Sequence, residues 1–123
     1  MPLQPSRQAR IENILKSLVH HGSFTSAVVA SKDGLPIAMI GQTNAAMIAA
    51  VAASMKDLAE RAHQGLTEIA TRDDQGNKIV SRYFLINGDL LLLAIQLPAN
   101  RPYRKLTNLA IDDIKKVWSN LGK

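Results

Sequence analysis

A short β-hairpin near the start of the chain constrains the fold more than any other sequence feature. Two runs of small and apolar residues, 24–31 and 35–40, flank the dipeptide Asp33-Gly34. Asp-Gly between apolar runs is among the strongest short-range hairpin signals, because both residues tolerate a positive φ angle. The stretch therefore predicts two adjacent antiparallel strands.

The rest of the chain carries three helical patterns and three further strands. Helices are predicted over 6–22 and 45–64 and along the apolar stripe 106–121, and strands over 66–72, 78–86 and 90–97. Gly22 is expected to end the first helix in a left-handed conformation, and the side chain of Thr43 or Asn44 is expected to cap the second. Residues 73–77 and Asn87-Gly88 have the composition of tight turns.

The order of these elements predicts an α+β domain. It reads helix, strand, strand, helix, strand, strand, strand, helix, which is typical of an antiparallel meander sheet covered by helices. Residues 27–30 and 90–95 are apolar without alternation, so both faces of the sheet must be covered. A length of 123 residues suits one domain, 1–123, whose residues 1–6 are expected to be flexible.

The charge and hydropathy patterns restrict the partners and the compartment. The net charge of +5 is compatible with a nucleic-acid or anionic partner, but aromatic residues make up only 4% and no basic run alternates with stacking residues. No apolar run approaches the roughly 20 residues that span a bilayer, and residues 1–10 lack an apolar secretion signal. We therefore expect a cytoplasmic protein with no nucleic-acid partner and no integral membrane association.

The residue types needed for catalysis form no recognisable catalytic or metal-binding pattern. The chain has no cysteine, which excludes thiol catalysis and thiolate metal sites. Its three histidines have no ligand spacing with acidic residues, and neither a phosphate-binding loop nor a nucleophile elbow occurs. The sequence therefore predicts a protein that is not an enzyme and that holds no cofactor and no metal.

The second helix is apolar around most of its circumference. Its larger apolar residues share one face that is expected to pack on the sheet, namely Met47, Ile48, Val51, Met55, Leu58 and Ala62. The other faces carry Ala45, Ala46, Ala49, Ala50, Ala52 and Ala53. Helix propensity alone would explain these alanines, but charged residues normally cover a free helix, so we favour a protein interface. On this interpretation Ala49→Arg leaves the fold intact and abolishes partner binding or dimerisation.

The third strand, 66–72, is expected to lie at an edge of the sheet. An edge strand carries unpaired backbone groups that either need protection or pair with another chain. If two copies pair there, symmetry brings both second helices together on one face. The sequence therefore predicts a homodimer.

The hairpin and the order of elements resemble the Roadblock/LC7 superfamily. The resemblance covers about residues 8–121, and its most specific part is 27–38, above all the sequence DGLPI at 33–37. The superfamily includes roadblock-type dynein light chains, subunits of lysosomal scaffolds and regulators of small Ras-like GTPases such as the gliding-motility activator MglB. The resemblance implies a profilin-like five-stranded antiparallel sheet with one helix on one face and two on the other.

The resemblance also implies dimerisation through the second helix and the third strand, with a small Ras-like GTPase bound on the side of the second helix. Carried to this sequence, the dimer or GTPase interface consists of Ala45, Ala46, Ala49, Ala52, Ala53, Lys56, Arg61, Leu66, Glu68 and Ala70. The family's activators are thought to rearrange the GTPase's own catalytic groups. Activator, recruiter and passive scaffold are all compatible with this sequence.

Two functions of other classes stay open at this point. A small-molecule-sensing α+β domain predicts a ligand cavity between the sheet and a helix. A basic nucleic-acid-binding module predicts retention on DNA or RNA that weakens steeply with salt.

Overall fold

The computed structural model describes residues 6–41 and 44–120. In chain order the elements are α1 (Arg7–Gly22), β1 (Ser26–Ser31), β2 (Pro36–Gly41), α2 (Ala45–Ala59), β3 (Glu68–Arg72), β4 (Lys78–Ile86), β5 (Asp89–Leu97) and α3 (Arg104–Asn120). The predicted order of elements and the α+β class are confirmed. The predictions for residues 1–5, for a Thr43 cap and for residue 121 lie outside the described residues.

The five strands form one open antiparallel sheet in the order β2-β1-β5-β4-β3. Two tight hairpins, β1-β2 and β4-β5, are joined by the pairing of β1 with β5. The meander therefore runs through β3, β4 and β5, while α2 carries the chain from β2 at one edge to β3 at the other. As predicted, β3 is an edge strand.

The helices cover both faces of the sheet, as its apolar strands require. On one face α1 and α3 bury a core around Ile11, Leu15, Leu93 and Ile114. On the other face α2 packs on side chains of β1, β4 and β5. The expected division into one helix and two helices is confirmed, and it leaves the outer side of α2 as the only helix surface on its face within the described residues.

The β1-β2 turn does more than reverse the chain, because it also contacts α2. Gly34 has a φ of 84°, and its amide donates a hydrogen bond of 2.9 Å to the Ser31 carbonyl oxygen. A Cβ atom on Gly34 would lie 2.9 Å from Cα of Ala50. Glycine is therefore required both for the left-handed backbone and for the close approach of the hairpin tip to α2.

The end of α1 follows the prediction in position but not in mechanism. The helix ends at Gly22, yet the left-handed residue is Ser23, with a φ of 53°. A Cβ atom on Gly22 would lie 2.3 Å from Cζ of Phe24. Gly22 is thus required for the packing of the Phe24 ring, and its predicted left-handed conformation is wrong.

The second helix is shorter than predicted. It ends at Ala59 rather than at residue 64, because two amides beyond it bond three residues back, Arg61 to Leu58 at 3.3 Å and Ala62 to Ala59 at 3.0 Å. Such tight turns are common where an α-helix ends. At the other end Asn44 occupies the N-cap position, but its side chain makes no capping hydrogen bond.

A buried tyrosine attaches α2 to the sheet. The hydroxyl of Tyr83, on β4, donates a hydrogen bond of 2.7 Å to the Ala52 carbonyl oxygen, and Tyr83 is 6% exposed. Burial raises the pKa of Tyr83 above its ordinary value of 10.0. The hydroxyl therefore stays protonated in the folded protein at pH values where an unfolded chain has begun to lose this proton.

Replacing Tyr83 by phenylalanine removes that bond and leaves a buried carbonyl with one partner fewer. We expect a loss of about 1 kcal/mol in the free energy of unfolding at pH 7, measured by urea denaturation. The pKa of Tyr83 is higher in the folded than in the unfolded chain. Its contribution to the free energy of unfolding is therefore fully present below the unfolded pKa, and it is lost as the pH rises from there through the folded pKa. The phenylalanine variant should lack this part of the alkaline loss. Equal pH profiles for the two proteins would contradict the assignment.

Candidate interaction surface

The alanines of α2 are divided between the buried and the exposed sides of the helix. Four of them face the sheet and are at most 6% exposed: Ala45, Ala49, Ala52 and Ala53. Their predicted position on an exposed face is wrong. Ala46 and Ala50 are exposed. Small side chains let the helix backbone approach the sheet and the hairpin tip closely, which explains why the alanine face is the buried one.

Three of the larger apolar residues lie on the outer side instead. Met47 is 66% exposed, Val51 46% and Leu58 64%. Their predicted packing on the sheet is wrong, whereas Ile48, predicted on the same face, is buried as expected. The helix is rotated by about a third of a turn from the predicted orientation. We define Met47, Val51 and Leu58 as the α2 stripe. Exposed apolar clusters of this kind mark interaction sites in soluble proteins.

The sequence contains a signal for the buried face of α2, but this signal does not exclude the opposite face. The buried alanines Ala45, Ala49, Ala52 and Ala53 are spaced four, three and one residues apart, which is the spacing of one helix face. The larger apolar side chains of α2, by their size, indicated the opposite face. On a helix that is apolar around most of its circumference, size does not indicate which face is buried.

The α2 stripe continues into a groove beside the sheet edge. The groove has a volume of about 260 Å³ and is lined by Asn44, Met47, Ile48, Val51, Met55, Thr71 and Ile79. Thr71 belongs to β3, so the groove joins the outer side of α2 to the edge strand. Helix surface and strand edge therefore form one continuous apolar surface.

The edge strand itself is open on one side. β3 pairs with β4 from Glu68↔Arg82 to Arg72↔Lys78 and has no second neighbour among the described strands. Ala70 is exposed, and Leu66, which precedes the strand, is half-buried. The outward backbone groups of β3 are therefore available to another strand.

Glu68 is held on the opposite face of the sheet from α2. Its carboxylate accepts a hydrogen bond of 2.8 Å from the Tyr103 hydroxyl and lies 3.3 Å from the Arg104 guanidinium. The neighbouring Arg82 guanidinium is 3.7 Å away and donates to Thr107 at 2.9 Å. These contacts attach the edge strand to α3. They also show that Glu68 does not share a face with α2, although Glu68 and the α2 alanines were predicted to belong to one interface.

The two predicted cations differ in accessibility. The Lys56 amino group forms an ion pair of 2.8 Å with Glu60, and the lysine side chain is only 12% exposed. The hydrogen bond from Lys56 lowers the pKa of Glu60. Arg61 lies beyond the end of α2 and is exposed. Of the pair, Arg61 is the one whose charge is freely presented to a partner.

The described residues provide no constellation for metal binding. Across 6–41 and 44–120, no three histidine, aspartate or glutamate side chains come together as a metal site. Asp73, one of the turn acids, accepts hydrogen bonds of 2.9 Å from the amides of Gln75 and Asn77, so its carboxylate shapes a turn. None of the helices in the same ranges has the length and apolar composition needed to cross a bilayer.

Comparison with known proteins assigns the fold and the family. The family model of the Roadblock/LC7 domain matches residues 10–73, just over half of the chain. No curated protein gives a significant sequence match. Among solved structures, MglB of Myxococcus xanthus is similar over 100% of this chain and 98% of that chain, with a TM-score of 0.77 and 15% identity.

Two further solved structures share the architecture. A Roadblock/LC7 domain from Streptomyces avermitilis covers 91% of this chain and 98% of its own, with a TM-score of 0.72 and 21% identity. Profilin IB of Acanthamoeba castellanii covers 96% of this chain and 100% of its own, with a TM-score of 0.56 and 13% identity. At these identities the likeness shows the fold, and the predicted profilin-like arrangement is confirmed.

Proposed function

Because this chain belongs to the Roadblock/LC7 family, we propose that it is a non-catalytic regulator or scaffold that binds a small Ras-like GTPase as a homodimer. The observation that carries the proposal is the exposed α2 stripe beside the open edge of β3. An apolar helix surface next to an unpaired strand is what a second chain needs for docking. The family supplies the class of the further partner.

The combination of strand edge and helix surface supports the proposed dimer. Pairing β3 with β3 of a second copy extends the sheet to ten strands, twice the five of one chain, and satisfies the outward backbone groups. A two-fold axis perpendicular to the sheet puts both α2 helices on the same face. Met47 and Val51, which line the groove beside β3, then pack against the second copy, which removes apolar area from water.

The GTPase is assigned to the α2 side of this dimer. Two adjacent α2 helices would offer a broad surface with Arg61 at the end of each. Cationic side chains at the margin of an apolar surface suit an acidic partner surface, to which they add specificity and speed of association.

The test uses a small Ras-like GTPase from the same genome, loaded with GDP or with a non-hydrolysable GTP analogue. We expect micromolar or tighter binding in calorimetry with one of the two forms, and single-turnover GTP hydrolysis then separates the possible roles. A faster hydrolysis rate identifies an activator, whereas binding with an unchanged rate identifies a recruiter or scaffold. If neither nucleotide form of any such GTPase binds, the proposal is wrong.

A matched pair of variants locates the binding surface. Leu58→Glu puts a charge on the α2 stripe, and Leu109→Glu makes the same change on α3, where Leu109 is 54% exposed. Leu58→Glu should weaken GTPase binding at least about tenfold, because interface anchors typically contribute more than 1 kcal/mol. Leu109→Glu should bind like the parent chain, and the reverse pattern would move the site to the other face.

A further inference from the structure

The edge strand is self-complementary, and we propose that two copies of this chain pair along β3 in a single register, with the two-fold axis at Ala70. This inference rests on the proposed homodimer and specifies its geometry. Arg72 is the residue that sets the register.

Symmetry limits the registers that are possible. Residues directly opposite each other in an antiparallel pair lie on the same face of the sheet. A strand that pairs with its own copy about a two-fold axis must therefore have one residue opposite itself. In the five-residue strand Glu68–Arg72, the central candidates are Ile69, Ala70 and Thr71.

The length of the hydrogen-bonded ladder favours Ala70 as the centre. Ala70 is the middle residue of β3, so this register places all five strand residues opposite strand residues of the second copy. A centre at Ile69 or Thr71 leaves only three of the five so paired. Backbone hydrogen bonds are what an open edge offers, and the Ala70 register makes the most of them.

The charges at the two ends of β3 also favour Ala70 as the centre. With Ala70 at the centre, Glu68 lies opposite Arg72 of the second copy, and symmetry repeats this pair. Cross-strand pairs of opposite charge stabilise a sheet, whereas like charges opposite each other destabilise it. A centre at Thr71 would oppose Glu68 to Asp74, and a centre at Glu68 would oppose two glutamates. Only the Ala70 register matches the charges at both ends of the strand.

Arg72 is free to take this role. It is exposed, and it has no acidic partner within the described part of one chain. Glu68, in contrast, is fixed in place by Tyr103 and Arg104 on the α3 side. Arg72 is on the same face as Glu68 because the two residues are four positions apart in one strand. An exposed guanidinium without an acidic partner would therefore meet a carboxylate whose position is already determined.

The other face of the strand agrees with the same register. Ile69 packs with the α2 cluster, and Thr71 lines the groove beside the α2 stripe. In the Ala70 register each Ile69 lies opposite Thr71 of the second copy, next to that copy's groove. The apolar side chain then adds to the surface formed by Met47 and Val51.

Cysteine scanning tests the register directly, because the natural chain has no cysteine. Three single variants, Ile69→Cys, Ala70→Cys and Thr71→Cys, are oxidised with copper-phenanthroline and run on non-reducing gels. Cα atoms of opposed residues are about 4.5–5.5 Å apart, within the range that a disulfide spans, about 4.4–6.8 Å. Ala70→Cys should therefore form a covalent dimer. In the same register the other two cysteines lie about 8 Å from their own copies and should stay monomeric on the gel.

Sedimentation of the three reduced variants separates failure of the register from failure of the dimer. Cross-linking mainly at Ile69→Cys or Thr71→Cys in a dimeric protein would overturn the Ala70 register and leave the proposed homodimer intact. A dimer that cross-links at none of the three positions would also overturn the register, because β3 would then not be paired with itself. Monomeric sedimentation of the parent chain would overturn the proposed homodimer as well.

Discussion

Replacing Ala49 by arginine is expected to prevent the protein from folding. Ala49 is 0% exposed and lies in the contact between α2 and the sheet, and its carbonyl oxygen is 3.1 Å from the position of a Cβ on Gly34. A guanidinium forced into this space has no acidic partner there and must also displace packed side chains. Burying an unpaired charge and overpacking a core together cost roughly 5 kcal/mol or more, which is comparable to the whole stability of a small domain.

Ala46→Arg is the matched control, because it makes the same change on the exposed side of the same helix. Its free energy of unfolding should stay within about 0.5 kcal/mol of the parent value. Circular dichroism and urea denaturation at low protein concentration measure both variants. A folded Ala49→Arg protein of parental stability would return α2 to the orientation predicted from sequence, in which Ala49 is exposed.

The elements themselves could be predicted because their signals are local. Asp33-Gly34 and Asn87-Gly88 specify turns through the conformations of those few residues, and Gly34, Asn87 and Gly88 have positive φ angles. The apolar segments between such turns then define the strands, and this does not depend on which elements cover the two faces of the sheet. Only the exact ends of elements differ, such as Ala59 rather than residue 64 at the end of α2.

The orientation of α2 could not be predicted in the same way. A helix that is apolar around most of its circumference has two faces that could pack on a sheet, and the choice depends on the shape of the surface beneath. Here the hairpin tip at Gly34 comes within contact distance of the α2 backbone, which only a face of small residues allows. That contact joins residues distant in the sequence, so no local pattern contains it.

The face on which Glu68 lies was also beyond the sequence. Strand alternation places Glu68, Ala70 and Arg72 on one face, but does not say whether that face meets α2 or α3. In the structure, Tyr103 and Arg104 hold the Glu68 carboxylate on the α3 side. Edge position and alternation were predictable, whereas the assignment to a face required the tertiary contacts.

Replacing Val51 by glutamate is expected to split the proposed dimer while leaving each chain folded. Val51 is 46% exposed on the α2 stripe and lines the groove beside β3, so the change does not disturb the core. In the dimer it would bury two carboxylates near the symmetry axis, close to each other and without cationic partners. At about 2 kcal/mol for each copy, the dissociation constant should rise roughly 1000-fold.

Analytical ultracentrifugation over a range of concentrations measures this change, with the monomer mass of 13.4 kDa as the reference. The control is Leu109→Glu, which adds the same charge to an exposed apolar site on α3 and should keep the parental dissociation constant. Part of the effect at Val51 is repulsion between two like charges, which salt screens. High salt should therefore recover some of the dimer in Val51→Glu, and it should change the parent chain less. If Val51→Glu sediments as the parent does at every concentration, the dimer does not form through α2.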